Sequence, residues 1–165
     1  MRKILAILLG LALVCGAAAA VAEQDPEDLY ALGQEAYDNG RYEEAAGYYR
    51  QAADLGHALA RNDLGVLYEK GLGVEQSDAK AAECYIAAAE QGEANAQCNL
   101  GAFYYNGTVV EQSTEKAVEL FRLSAEQGNP QAQYNLGVLY ENGLGVDGRE
   151  GQVRLRLYHA AWRPG

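Results

Sequence analysis

Two short stretches place a serine one helical turn ahead of a lysine: Ser77-Asp-Ala-Lys80 and Ser113-Thr-Glu-Lys116. Serine acyl transfer on beta-lactam or peptidoglycan substrates uses such a pair. It also needs Ser-Asp-Asn and Lys-Thr-Gly elements, and neither tripeptide occurs in the chain. A helix-capping serine followed by a solvated lysine accounts for both stretches without catalysis. The expected protein is therefore not an enzyme, and a hydrolase is the alternative. His57 and His159 are the only histidines. No Cys or His spacing suggests a zinc site, and His57, which follows a turn glycine, is expected on the surface. Paired acids such as Glu43-Glu44 belong to a solvated helix face rather than to acid–base work. No strand precedes a glycine-rich phosphate loop, so no cofactor is expected. Asn106-Gly-Thr108 matches the glycosylation sequon by pattern.

Both serine stretches occupy one position of an internal repeat. Asn62-Asp-Leu-Gly-Val-Leu-Tyr-Glu-Lys-Gly-Leu-Gly-Val-Glu75 returns as Asn99-Leu-Gly-Ala-Phe-Tyr-Tyr-Asn-Gly-Thr-Val-Val-Glu111. It returns again as Asn135-Leu-Gly-Val-Leu-Tyr-Glu-Asn-Gly-Leu-Gly-Val-Asp147. Gly65, Gly101 and Gly137 are 36 residues apart, as are Gly56, Gly92 and Gly128. A fixed period of this length is the signature of a solenoid whose units bury their apolar faces against their neighbours.

Local signals give each unit two helices. Asp25-Pro26-Glu27-Asp28 reads as a cap, a first-turn proline and acids at the positive end of the dipole, opening a helix to Asn39. Arg41 opens a second helix reaching Leu55. The next unit has helices over 58–70 and 78–91, separated by Gly71-Leu-Gly-Val-Glu-Gln76. Gly71 is placed for a left-handed helix end with Leu72 folding back. Ser113 or Thr114 caps the matching helix one unit later, and Asn129-Pro130 opens the third unit. Val109 stands where the first loop has Gly73, which predicts a different loop backbone. The helix glycines Gly33, Gly65, Gly101 and Gly137 each cost about 1 kcal/mol against alanine. They are read as points where the paired helix approaches with Ala45, Ala81 or Ala117. Tyr37, Tyr68, Tyr104 and Tyr140, one turn later, are read as hairpin core.

The first hairpin, with Leu32-Gly33, Tyr37, Gly40, Tyr42, Ala45, Tyr49 and Ala52, resembles the tetratricopeptide repeat. The longer units resemble the Sel-one-like repeat, its longer-looped relative. Lys80-Ala81, Tyr85 and Ala88-Ala-Glu-Gln-Gly92 carry the likeness in one unit; Lys116-Ala117, Phe121 and Ala125-Glu-Gln-Gly128 carry it in the next. The third departs from the pattern: residues 148–165 lack the Lys-Ala start, and Tyr158 fits Tyr85 only with one inserted residue. A terminal cap and a disrupted reading frame would look alike there.

The resemblance implies an all-α, right-handed α-solenoid of antiparallel hairpins. Its division is a leader over 1–22, a tetratricopeptide-like hairpin over 23–56, repeats over 57–92 and 93–128, and a degenerate repeat with cap over 129–165. It also implies a non-enzymatic scaffold binding another protein, as an envelope adaptor, a regulator or a virulence-associated factor, although some members carry a beta-lactamase label. Groove positions carried over from tetratricopeptide repeats are Asn62, Val66, Glu69 and Lys70; Asn95, Cys98, Ala102, Tyr105 and Asn106; and Gln131, Tyr134, Val138, Glu141 and Asn142. Amides and tyrosine hydroxyls suit the backbone of an extended peptide.

Arg2-Lys3, an apolar run over 4–14 and Ala20-Val-Ala22 describe a secretory signal peptide, too short in its apolar part for a membrane span. Cleavage is expected after Ala22, giving a periplasmic or secreted chain. Lipidation at Cys15, which would tie the chain to a membrane, is the alternative, though Val14 suits it poorly. Residues 23–147 hold 22 acidic against 7 basic residues, a net charge of −15. Such a surface repels nucleic acid and favours a neutral or basic protein partner. Export permits a disulfide between Cys84 and Cys98, which lie symmetrically about the reversal near Gln91; two separate buried thiols are the other reading.

Overall fold

The computed structural model describes residues 25–144, which form seven α-helices and no strand. They are α1 (Pro26–Asp38), α2 (Tyr42–Asp54), α3 (Ala58–Lys70), α4 (Asp78–Glu90), α5 (Ala94–Asn106), α6 (Thr114–Glu126) and α7 (Pro130–Glu141). Helices α1/α2, α3/α4 and α5/α6 pair as hairpins. Each second helix packs on the first helix of the next hairpin, and α3 also touches α1 and α5. The result is an all-α solenoid of stacked hairpins. The leader with Cys15, and residues 145–165 with Tyr158 and His159, lie outside the described residues.

Capping fixes the helix starts. Asp25 accepts from the Glu27 amide and Asn129 from the Ala132 amide, each directly ahead of a proline. Ser77 and Ser113 accept from the Lys80 and Lys116 amides. Three caps depart from the preferred residue types: Glu93 for α5, His57 for α3, and Arg41 for α2, whose side chain makes no capping hydrogen bond. His57 is not a surface residue. Its side chain is 10% exposed, it stacks on Tyr30 at 4.5 Å, and its Nδ1 accepts from the Ala60 amide. Because Nδ1 accepts, Nε2 carries the proton and donates to Glu27 Oε2 at 3.0 Å.

The helix glycines sit under aromatic rings, not under alanines. A Cβ on Gly33 would lie 2.5 Å from Tyr49 Cδ1, on Gly65 2.7 Å from Tyr85 Cε1, and on Gly101 2.9 Å from Phe121 Cε1. Each hairpin therefore locks a ring from its second helix into a notch on its first. Tyr49, Tyr85 and Phe121 are buried, and each contributes about 2–3 kcal/mol by leaving water. Tyr140 is buried as expected, whereas Tyr37, Tyr68 and Tyr104 are only half-buried. Tyr37 meets Tyr42 edge-on at 5.3 Å. Tyr68 and Tyr104 lie beneath the ammonium groups of Lys80 and Lys116, 5.3 and 4.9 Å from the ring centroids.

The two long loops share one backbone course despite Val109. Leu72 and Thr108 donate back to Leu67 and Phe103, and Ser77 and Ser113 donate back to Tyr68 and Tyr104. Gly73 has φ +65° and Val109 has φ +52°. The valine has taken the left-handed geometry of the glycine instead of changing the loop, because the same two anchoring hydrogen bonds hold both ends.

Candidate functional site

The first helices of the hairpins, α1, α3, α5 and α7, carry a row of three open pockets, one at each junction between successive first helices. Positions counted from the helix glycine show that the two outer pockets are serial copies. The central one shares their +4 position on one first helix and their −2 and +1 positions on the next. The α1/α3 pocket, about 280 Å³, is lined by positions +1, +4 and +5 of α1 (Gln34, Tyr37, Asp38) and by −2 and +1 of α3 (Asp63, Val66), over the notch ring Tyr49. The α5/α7 pocket, about 250 Å³, repeats all six positions with Ala102, Tyr105, Asn106, Asn135, Val138 and Phe121, and adds Tyr134 and Leu139. The α3/α5 pocket, about 320 Å³, has Glu69 at +4 and Asn99, Ala102, Phe103 and Asn106 from α5; Gln76 and Thr108 from the loops and Asp78 at the start of α4 complete its wall. No lysine or arginine lines any of the three.

The carried-over positions divide sharply. Val66, Glu69, Ala102, Tyr105, Asn106, Tyr134 and Val138 line the pockets. Asn62 does not: it is 3% exposed, and its Oδ1 accepts from Asn99 Nδ2 at 3.0 Å. It belongs to a ladder tying the first helices together. The neighbouring rungs are Tyr30 Oη to Asp63 Oδ2 at 3.1 Å and Asn135 Nδ2 to Cys98 Sγ at 4.0 Å. Cys98 is likewise buried. Lys70, Asn95, Gln131, Glu141 and Asn142 are exposed but line none of the three pockets. Asn95 is held between Glu93 and Asn129, Gln131 donates to Asn135, and Asn142 donates to the Val138 carbonyl.

The −2 column, Asp63, Asn99 and Asn135, contributes to every pocket and is absent from the carried-over set. Its sequence signal is recurrence of Asp, Asn and Asn at one period. Asp63 accepts from Tyr30 and Asn62, Asn99 donates to Asn62, and Asn135 donates to Cys98 while accepting from Gln131, so the ladder holds each member in place at the pocket wall. Burial raises the Asp63 carboxyl above its ordinary value, against the lowering effect of hydrogen bonds from Asn62 and Tyr30.

Chemistry elsewhere is muted. Ser77 and Ser113 use their Oγ atoms as helix caps, and Lys80 and Lys116 are drawn to tyrosine rings. Cys84 and Cys98 are free thiols in different core clusters, with no bridge between them. Burial pushes both up to about 11, so each is almost entirely protonated at neutral pH. Among the described residues no group of three His, Cys, Asp or Glu side chains is placed to hold a metal, and no helix is long and apolar enough to cross a membrane.

Comparison with known proteins agrees with this architecture. The Sel1 repeat profile matches residues 58–93, 94–129 and 130–148, and a tetratricopeptide repeat profile matches 26–58. The chain is 46% identical over 59 residues to the exopolysaccharide production negative regulator of Rhizobium leguminosarum bv. viciae, covering 36% of this chain and 22% of that one. It is 41% identical over 56 residues to HcpC of Helicobacter pylori, which bears a provisional beta-lactamase name, covering 34% and 19%. The chain thus spans about a fifth of the length of these curated relatives. The crystal structure of c5321, a protective antigen present in uropathogenic Escherichia coli strains displaying an SLR fold, superposes with a TM-score of 0.73 at 31% identity, covering 87% of this chain and 32% of that one. With its repeat profile matched over more than half of its length, the chain belongs to the Sel1 repeat family.

Proposed function

We propose that this chain is an exported, non-enzymatic scaffold whose first-helix face binds an extended segment of another protein. The row of three pockets carries this reading: open, recurring at each first-helix junction and edged by amides suited to a peptide backbone. The names of relatives, a regulator of exopolysaccharide production and a protective antigen, are compatible with an envelope adaptor or regulatory role. Export rests on the leader over residues 1–22.

Capture from an envelope extract with the mature chain as bait tests the reading. The expected result is a specific partner lost when Val66, Tyr105 and Tyr134 are changed together to serine. Capture indifferent to those changes would contradict it. The hydrolase reading has the Ser-x-x-Lys stretches and the HcpC name in its favour. Nitrocefin or peptidoglycan turnover abolished by Ser77→Ala or Ser113→Ala would establish that reading instead.

A further inference from the structure

The three pockets recur at successive junctions but differ in chemistry, and between the central and last pockets the sharpest difference lies at one column. Position +4 is Glu69 in the central pocket and Tyr105 in the last. The notch ring changes with it. Tyr85 Oη donates to Glu69 Oε2 at 2.6 Å, whereas the next unit pairs Tyr105 with Phe121, which has no hydroxyl. In these two units the hydroxyl and the carboxylate change together, while the first hairpin has Tyr37 at +4 and Tyr49 as its ring. The central pocket is consequently acidic, with Asp78 beside Glu69, while the last is an apolar hollow of Ala102, Phe121, Val138 and Leu139 flanked by two exposed tyrosines. The pocket on the other side of the centre adds Asp38 and Asp63.

Resting on the scaffold reading above, we infer that the groove selects an extended protein segment with a cationic side chain in the central pocket and an apolar one in the α5/α7 pocket. Two observations fix the occupant. No basic residue lines the row to neutralise its carboxylates, and the net charge of −15 over residues 23–147 adds a long-range field favouring a basic ligand. The apolar pocket directly adjoins the acidic one, sharing Ala102 and Asn106 with it, so a single strand can fill both. Packed helices lie about 8–10 Å apart and an extended chain advances about 3.3 Å per residue, so the two side chains stand about three residues apart, as in Lys-x-x-Leu or its reverse.

The test uses fluorescein-labelled nine-residue peptides on a Gly/Ser background. They carry Lys and Leu in both orders at separations of about two, three and four residues, with matched peptides in which Ser replaces Lys or Leu. Tightest binding is expected for Lys and Leu together at a separation of about three, in one of the two orders. In the Glu69→Gln, Asp78→Asn variant the preference for Lys over Ser should fall by about five- to tenfold, the scale of two partly screened ion pairs. Glu119→Gln on α6 removes a carboxylate away from the row and should leave that preference intact; Glu69→Gln keeps an acceptor for Tyr85, and circular dichroism checks the fold. A retained Lys preference in the Glu69→Gln, Asp78→Asn variant overturns the assignment of the central pocket. Peptides that bind the row without preferring Lys overturn this inference but leave the scaffold reading standing. Absence of binding by every peptide overturns the inference, while the envelope-capture result decides the broader reading separately.

Discussion

The α3/α4 and α5/α6 hairpins have the same helix lengths, second-helix serine caps, lysine–tyrosine contacts and ring-in-notch packing, yet they present different surfaces. Three of their differences are instructive: Glu69 with Tyr85 against Tyr105 with Phe121, Asn62 against Cys98, and Gly73 against Val109. The first alters a pocket and the second a ladder rung. The third alters the surroundings of a loop without altering its course. A Cβ on Gly73 would lie 2.2 Å from the carbonyl carbon of Tyr42, at the start of α2. Val109, by contrast, is 57% exposed. The repeat thus holds its backbone through hydrogen bonds and notches, and leaves its outward columns free to diverge. The comparison teaches that structure and recognition occupy separate columns of one repeat.

The rings should show the largest and most similar effects. Tyr85→Ala and Phe121→Ala should each lower unfolding free energy by about 3–5 kcal/mol in urea titrations, since each empties a buried notch. Unequal losses would mean that the two hairpins do not share one packing device. Tyr85→Phe should cost only about 1 kcal/mol, for the hydrogen bond to Glu69.

The loops should diverge under opposite substitutions. Gly73→Val should destabilise by about 3 kcal/mol, combining left-handed strain with a clash against the α2 backbone. Val109→Gly removes a side chain from a left-handed residue and should stabilise by about 1 kcal/mol. Thermal melts of the two variants read the contrast directly. If both destabilise, the shared loop geometry is wrong.

The period, the helix bounds and most caps were legible because they depend on residues near one another in sequence. Ser77, Ser113, Gly71 and Asn129 act on their own or adjoining turns. What escaped depends on partners one hairpin away. Asn62 reads as a groove amide until Asn99 is seen against it, and His57 reads as exposed until Tyr30 and Glu27 close over it. The notch fillers were visible as aromatics, but spacing alone did not say whether Tyr85 or Ala81 faces Gly65. Val109 misled because residue preference argues against a left-handed valine, whereas the hydrogen bonds at both loop ends impose it. Within the site, Val66, Ala102, Val138, Glu69, Tyr105 and Asn106 fall on pocket walls, whereas Lys70, Glu141 and Asn142 in the same columns do not. The −2 column was not among the carried-over positions, because its role comes from the ladder.

Smaller effects sharpen the ladder. Asp63 stands where the later units have Asn99 and Asn135, and burial raises its carboxyl. A raised folded value means that the native state is penalised at neutral pH, and that the penalty disappears as pH falls through the raised value toward the ordinary 3.8. Asp63→Asn should therefore raise stability at neutral pH and flatten the pH dependence across that window. An unchanged pH profile would contradict the assignment. The smallest signal is chemical: denatured, unreduced protein should show two free thiols per mature chain, and both should react slowly with neutral-pH alkylating reagent in the native state. Loss of both thiols without dimerisation would indicate a bridge.

The central claim is that position +4 and its notch ring decide what each pocket accepts, and exchanging the two pairs tests it most directly. The variant carries Glu69→Tyr with Tyr85→Phe and Tyr105→Glu with Phe121→Tyr, which preserves every side-chain type already found at these positions. Its affinities are measured for the Lys-x-x-Leu peptide and the reverse, Leu-x-x-Lys. The native protein should prefer one order and the exchanged protein the other. An exchanged protein that folds, binds and keeps the native order of preference would contradict the account.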